Sequence, residues 1–135
     1  MSTMVKANSL EAYVQSACVD LANIVRNEVT QELNQRLLRW TPPPDVLIGF
    51  PFFNNMALFV KQYAACFVVQ VDPTTRDVLL GVDARQLAAH GYPSELPAWL
   101  EYGHEALPPT PHIRPALAKV EYFTKEIVRG LQLWN

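Results

Sequence analysis

The stretch WLEYGHEALPPTPHIRPAL, residues 99–117, contains the most informative pattern of the chain. It begins with an aromatic segment that ends at Gly103, and it continues into a loop with three prolines between positions 108 and 111. Proline fixes φ, lacks an N–H and pushes the preceding residue towards extended backbone, so this loop excludes regular secondary structure. Pro115 then fits the first turn of a helix, where no N–H donor is needed. The stretch predicts an edge strand over 99–102, a rigid connection and the start of a helix.

A long amphipathic helix is predicted near the start of the chain. Apolar residues recur at three- and four-residue spacing over positions 10–37, which is typical of one helix face. Asn8 and Glu11, three positions apart, match a capping box. Three consecutive prolines at 42–44 cannot continue the helix, so we expect it to end at Trp40.

The outer face of this predicted helix is polar but mostly uncharged. Solvent-facing helix surfaces usually carry more charged residues, so two interpretations stay open: contact with a neighbouring subunit, or simple exposure of an amide-rich face. The residues of this face are Gln15, Ser16, Asn23, Asn27, Gln31, Asn34 and Gln35.

The middle of the chain is rich in β-branched and aromatic residues, which favours strands. The predicted strands lie at residues 46–50, 56–61, 63–71 and 78–82. Turn-forming residues at 72–77 join the last two strands into a hairpin. Residues 83–90 have helical composition, with Asp83 as the N-cap and Gly91 as the stop.

These elements predict an α+β fold in which a small antiparallel sheet is flanked by a long N-terminal helix and a C-terminal helix. The C-terminal helix is expected from about Pro115 to Leu133. A chain of 135 residues can bury a core, and we expect a single domain over 1–135. Half of the residues are hydrophobic and only 18% are charged, so we expect apolar surface to face partners. A net charge of −2 without a basic run argues against sequence-independent binding of nucleic acid.

Features of targeting and redox chemistry favour a protein made and used in the cytoplasm. The first residues, MSTMVK, lack the apolar core of a signal peptide. The longest apolar run, 64–69, is too short to span a bilayer. Cys18 and Cys66 lie in apolar stretches without metal-ligand spacing, which predicts buried, reduced thiols.

Catalytic and metal sites have weak support in the sequence, and we assign no catalytic, cofactor-binding or metal-binding residue. The five glycines are scattered singly, which argues against a phosphate-binding loop, and Cys66 lies in an apolar predicted strand. The possible metal ligands follow no compact spacing, although a small cytosolic hydrolase or metal-binding domain remains an alternative. These possible ligands are His90, His104, His112, Glu101 and Glu105.

Five residues are weighed for structural or interface roles. Glu101 and Arg114 are expected to form an ion pair, within or between subunits, that fixes the loop geometry. Two solvated charges of little energetic consequence are the alternative. Trp99 and Tyr102, together with Trp134, fit either interface anchors or residues that close the core.

The 99–117 stretch resembles the neck proteins of long-tailed bacteriophages, the tail-completion or head–tail joining family. In that family a hydrophobic residue, Glu, an aromatic residue and Gly precede a loop, and Glu101, Tyr102 and Gly103 match this first motif. Pro, apolar residues and Arg-Pro-Ala-Leu follow at the helix start. This second motif is matched by Pro111, Ile113, Arg114, Pro115, Ala116 and Leu117. His104 and His112 depart from the pattern, since a small hydroxyl residue and an aromatic residue are usual there.

The resemblance implies a structural virion protein and not an enzyme, assembled in the host cytoplasm. Such proteins form homo-oligomeric rings, here a suspected hexamer or dodecamer, between the portal or adaptor proteins of the head and the tail tube or tail terminator protein. DNA would pass through the channel without sequence-specific binding, and no cofactor or membrane is implied. A tail terminator or head-closure protein is the alternative within the virion. The interface and structural residues expected on this basis are Trp99, Glu101, Tyr102, Gly103, Arg114 and Pro115.

Overall fold

The computed structural model describes the backbone of residues 7–72, 75 and 77–132, and the side chains of residues 12, 14–72, 75 and 77–125. Its helices are α1 (Ala7–Leu37), α2 (Pro44–Gly49), α3 (Met56–Ala64), α4 (Ala84–Ala89), α5 (Leu96–Tyr102) and α6 (Ile113–Gln132), with a 3₁₀ turn at Pro51–Asn54. Its strands are β1 (Phe67–Val71) and β2 (Val78–Val82). The predicted α+β class is confirmed: a small antiparallel sheet accompanies a long N-terminal helix and a C-terminal helix.

The sheet is the hairpin that the 72–77 turn predicted. β1 and β2 pair antiparallel, with Phe67 opposite Val82 and Val71 opposite Val78. Helix α4 follows at once, and the Asp83 side chain caps it by accepting hydrogen bonds from the N–H groups of Arg85 and Gln86. The turn-forming residues and the Asp83 cap therefore predicted the hairpin and α4 correctly.

Helix α1 contributes one long buried face to the core. It has 31 residues and is about 46 Å long at the usual rise per residue. Every fourth residue along its inner face is buried, and α6, α3 and β1 pack against it. The buried residues of this face are Leu21, Val25, Val29, Leu33 and Leu37. The helix ends at Leu37 and not at Trp40, and the side chains of the predicted capping box, Asn8 and Glu11, lie outside the described residues.

The strands predicted at 46–50 and 56–61 are wrong, because both segments are helical. Pro44 lies in the first turn of α2, where its missing N–H leaves no bond unmade. In α3 the Asn55 side chain caps the helix by accepting the N–H of Leu58 at 3.2 Å. Short apolar runs do not separate a buried helix from a strand by periodicity, so the caps carried the deciding signal.

Two further predictions need correction. The strand predicted over 63–71 begins only at Phe67, since Tyr63 and Ala64 still belong to α3. The edge strand predicted over 99–102 is the second half of α5, with Pro97 in its first turn. Leu96 and Leu100 lie one helical turn apart and are both fully buried, and this tertiary packing overrides the β propensity of the aromatic residues.

Two chain-wide features complete the fold. None of the described helices combines the length and apolar character that crossing a membrane requires. Cys66 is buried as predicted, whereas Cys18 is only half-buried, and both are free thiols. Burial raises the pKa of each of these thiols above its ordinary value.

The α1 core face can be tested with two leucines. Leu33→Ala is expected to lower the free energy of unfolding by about 2–5 kcal/mol, because it removes buried methyl groups and leaves a cavity. Leu38→Ala is the matched control, since Leu38 is 54% exposed, and we expect a loss below about 1 kcal/mol. Chemical denaturation measures both values. Equal losses would contradict the assigned face.

Candidate functional site

The Glu101 carboxylate, near the end of α5, caps the first turn of α6. One oxygen, Oε1, accepts the N–H groups of His112 and Ile113 at 2.8 and 2.7 Å. The other, Oε2, accepts the N–H of Arg114 at 3.2 Å and its Nε–H at 2.8 Å. A negative charge at a helix N-terminus is also favoured by the helix dipole.

With this cap, no N–H group in the first turn of α6 lacks a partner. Helix starts leave several N–H groups without an intrahelical partner. Glu101 takes those of Ile113 and Arg114, Pro115 has none to satisfy, and the N–H of Ala116 donates to the His112 carbonyl at 3.2 Å. The two sequence motifs of the 99–117 stretch thus meet in a single structural feature, the Glu101 cap.

His112 connects the cap to the core. Its ring is fully buried, and Nδ1 lies 2.8 Å from the Thr110 carbonyl oxygen, which can only accept. Nδ1 therefore carries the proton, and Nε2 accepts the hydroxyl hydrogen of Tyr63 at 2.7 Å. Tyr63 belongs to α3 and is itself fully buried. The loop before α6 is in this way tied to a helix 49 positions earlier in the chain.

The pKa values of the cluster define one buried charge. Burial by itself would raise the pKa of Glu101, but the hydrogen bonds from His112, Ile113 and Arg114 outweigh it and lower that pKa from 4.5 to about 2. Burial lowers the pKa of His112, against opposing effects of Thr110 and Glu101, so the ring is neutral. Burial, followed by the Glu101 charge, raises the pKa of Tyr63. The cluster is an ionised carboxylate surrounded by neutral partners and Arg114.

The ion pair expected between Glu101 and Arg114 is present within the chain, and it leads from the core to the surface. The Glu101 side chain is 2% exposed, whereas that of Arg114 is 61% exposed. The Arg114 guanidinium also lies 5.4 Å from the ring centroid of Tyr102, which is 69% exposed. Tyr102 and Arg114 therefore form a surface patch directly above the buried carboxylate.

Gly103 and Trp99 shape the loop between the two helices. Gly103 has φ +86°, and a Cβ at this position would lie 2.9 Å from Cγ of Pro109. Its N–H donates to the Trp99 carbonyl at 2.8 Å and ends α5. The Trp99 ring is half-buried and stacks on His104 at a centroid distance of 4.4 Å. Trp99 therefore packs within the fold, while Trp134 lies outside the described residues.

The structure brings together five of the six residues that the sequence singled out. The sixth, Trp99, lies two positions before Glu101 in α5 and packs against Phe50 and His104. Sequence reasoning missed the roles of Tyr63, Thr110 and His112. Pro115 marks the helix start locally, but nothing local marks Tyr63 as the partner of His112. Among the residues whose side chains are described, no group of three or more His, Cys, Asp or Glu is placed to hold a metal ion.

The geometry of the cluster defines what it can do. Glu101, His112 and Tyr63 are at most 2% exposed, so in this conformation a substrate does not reach them. Comparison with protein-family models, curated proteins and solved structures found no match to this chain. The shared effect of the three side chains is to hold the 103–112 loop and the start of α6 against α3 and α5.

The cap makes stability depend on pH in a defined direction. A carboxyl whose folded pKa is lowered stabilises the fold above its unfolded pKa, and this contribution is lost as the pH falls. We expect a loss of about 3 kcal/mol of unfolding free energy between pH 4.5 and about 2 from Glu101. Glu101→Gln is expected to lose a similar amount at neutral pH and to flatten this acid limb in denaturation curves. The control is Glu105→Gln, whose side chain is 83% exposed and which should change little.

Two glycines test the tight loop. Gly103→Ala must adopt positive φ and also displace Pro109, so we expect a loss of at least roughly 2 kcal/mol in unfolding free energy. Gly91 has φ +77° but open space around it. Gly91→Ala should therefore cost about 1 kcal/mol, from backbone strain alone. If thermal or chemical denaturation gives the same loss at both positions, the Pro109 contact does not matter.

Proposed function

We propose that this chain is a structural protein of the phage neck. In this proposal it forms a homo-oligomeric ring, a hexamer or dodecamer, that joins the portal or adaptor side of the head to the tail tube or tail terminator and lets DNA pass. It acts in the virion, without a cofactor and without catalysis. The Glu101 cap is the observation that carries the proposal, because it gives one physical role to the separate motifs on which the family resemblance rests.

The cap supports the proposal because joining proteins work through fixed surfaces. Within the described residues, every buried side-chain nitrogen and oxygen has a hydrogen-bond partner. Such full satisfaction favours a rigid scaffold. Tyr102 and Arg114 then present an aromatic ring and a guanidinium in a fixed relation, and these residue types are enriched at the energetic centres of protein interfaces.

The surface of the chain offers further support. Large apolar side chains are exposed on several elements, and in this proposal some of them lie in contacts with other subunits. Examples are Val19, Ile48 and Tyr102, at 59%, 84% and 69%. Most of the amide-rich face of α1 is exposed as well, which leaves it free to meet a neighbouring subunit.

Deleting the gene from the phage genome that encodes it tests the proposal. We expect filled heads and separate tails in electron micrographs, and wild-type protein supplied from a plasmid should restore joined particles. Tyr102→Ser should reduce the infectious titre at least roughly tenfold, as loss of an interface anchor does. Tyr122→Ser removes an equally exposed tyrosine outside the motif segment and should leave the titre near the wild-type value.

The outcomes separate the alternatives. Locating the subunit in a particle map distinguishes a neck protein from a tail terminator or head-closure protein. Normal, infectious particles without this protein would refute the proposal. Stoichiometric zinc in the purified protein, or a turnover reaction abolished by one substitution, would favour the metal-binding or hydrolase alternative.

A further inference from the structure

Hydrogen-bonded and non-hydrogen-bonded residue pairs alternate along the hairpin, and this alternation shows which backbone N–H and C=O groups point away from it. The N–H of Asp83 donates to the Cys66 carbonyl at 2.8 Å, and the N–H of Asp72 donates to the Asp77 carbonyl at 2.8 Å. Directly opposite residues in an antiparallel pair alternate between bonded and non-bonded. The bonded pairs inside the sheet are therefore 68–81 and 70–79. The N–H and C=O groups of Val78, Leu80 and Val82 point outward from β2.

The two edges of this hairpin differ. Helix α1 meets the outer edge of β1, since Arg26 Nε donates to the Phe67 carbonyl at 3.1 Å. No described residue hydrogen-bonds to the outward groups of Val78, Leu80 and Val82. Strand β2, with the sequence VLLGV, also has neither a charge nor a proline to protect its edge. An edge of this kind is a template for another strand.

The sequence of β2 is complementary to itself in one antiparallel register. The residues whose backbone groups point outward, Val78, Leu80 and Val82, are placed symmetrically about Leu80. Pairing Leu80 with Leu80 of a second copy, and Val78 with Val82, forms roughly six backbone hydrogen bonds. Strand β2 itself carries no charged side chain, and in this register Asp77 and Asp83, directly beyond its two ends, lie opposite each other in the two copies and weaken the contact.

In the same register, the Leu79 side chain lies over Gly81 of the second copy. Leu79 is 51% exposed on the outer face of the hairpin. Gly81 lies on that face too, and a Cβ built on it would meet only Val68, at 3.8 Å. The missing side chain leaves room for the Leu79 side chain of the other copy, and in non-bonded pairs opposite side chains come closest.

We propose that β2 of the free subunit pairs antiparallel with β2 of a second copy of this chain, forming a four-stranded sheet about a two-fold axis. This contact does not depend on the proposed neck function, since a two-fold pair closes on itself and differs from the head-to-tail contacts of a ring. One strand pair is a small interface, so the dimer is weak, with a dissociation constant on the order of micromolar.

Light scattering over a dilution series tests the pairing with matched variants. Wild-type protein should pass from 15.3 kDa towards twice that mass as its concentration rises. Leu79→Lys and Gly81→Val should each raise the dissociation constant at least roughly tenfold. The first places a charge at the contact, and the second fills the space that the Leu79 side chain of the other copy occupies. Gln70→Lys adds the same charge to β1 on the same outer face, one strand from the edge, and should leave the dimer intact.

Amide hydrogen exchange of the wild-type protein gives a readout that needs no variant. The Leu80 amide should be protected when the dimer is populated and should exchange faster on dilution. The Leu79 amide is bonded within the hairpin, so its protection should not depend on concentration. A monomer at every concentration up to about a millimolar would overturn the proposal. Three other outcomes would also overturn the proposal. The dimer could persist in both β2 variants, it could be lost in Gln70→Lys, or the Leu80 amide could be unprotected in the dimer.

Discussion

The fold depends on a carboxylate that is buried and yet fully ionised. Glu101 can remain charged inside the protein because three N–H groups and the Arg114 guanidinium surround it, and their hydrogen bonds outweigh the cost of desolvation. The same bonds satisfy the start of α6, the helix that packs along α1. Without this charge, the loop between α5 and α6 would lose the group that holds both of its ends.

The neutral part of the network fixes the position of that charge. His112 lies between the Thr110 carbonyl and the Tyr63 hydroxyl, and Tyr63 stacks on Phe59 in the aromatic core. A polar network this deep is stabilising only when each member is paired, which is the case here among the described side chains. It resembles catalytic hydrogen-bond chains in composition, but its burial assigns it a positioning role. The cluster reaches the surface through Arg114, whose guanidinium lies beside the Tyr102 ring.

The proposed neck function and the proposed pairing of β2 use different parts of the molecule. The first rests on the surface above the Glu101 cap, where an aromatic ring and a guanidinium are held in place from below. The second rests on a strand edge whose backbone groups lack partners among the described residues. Both follow from one physical rule: polar groups and apolar side chains left uncovered by the chain itself define where another chain can bind.

The sequence by itself determined the features whose causes lie within a few residues: the inner face of α1, the pairing of β1 with β2, the Asp83 cap and the stop at Gly103. It did not distinguish helix from strand at 46–50, 56–61 and 99–102, because segments this short bury their apolar residues in either conformation. Only the tertiary structure decided that Glu101 caps a helix that begins 12 residues later, and that the Tyr63 hydroxyl reaches the His112 ring 49 positions further along the chain. Such partners are far apart in the chain and meet only because the helices pack together, so the sequence around each residue does not indicate its partner.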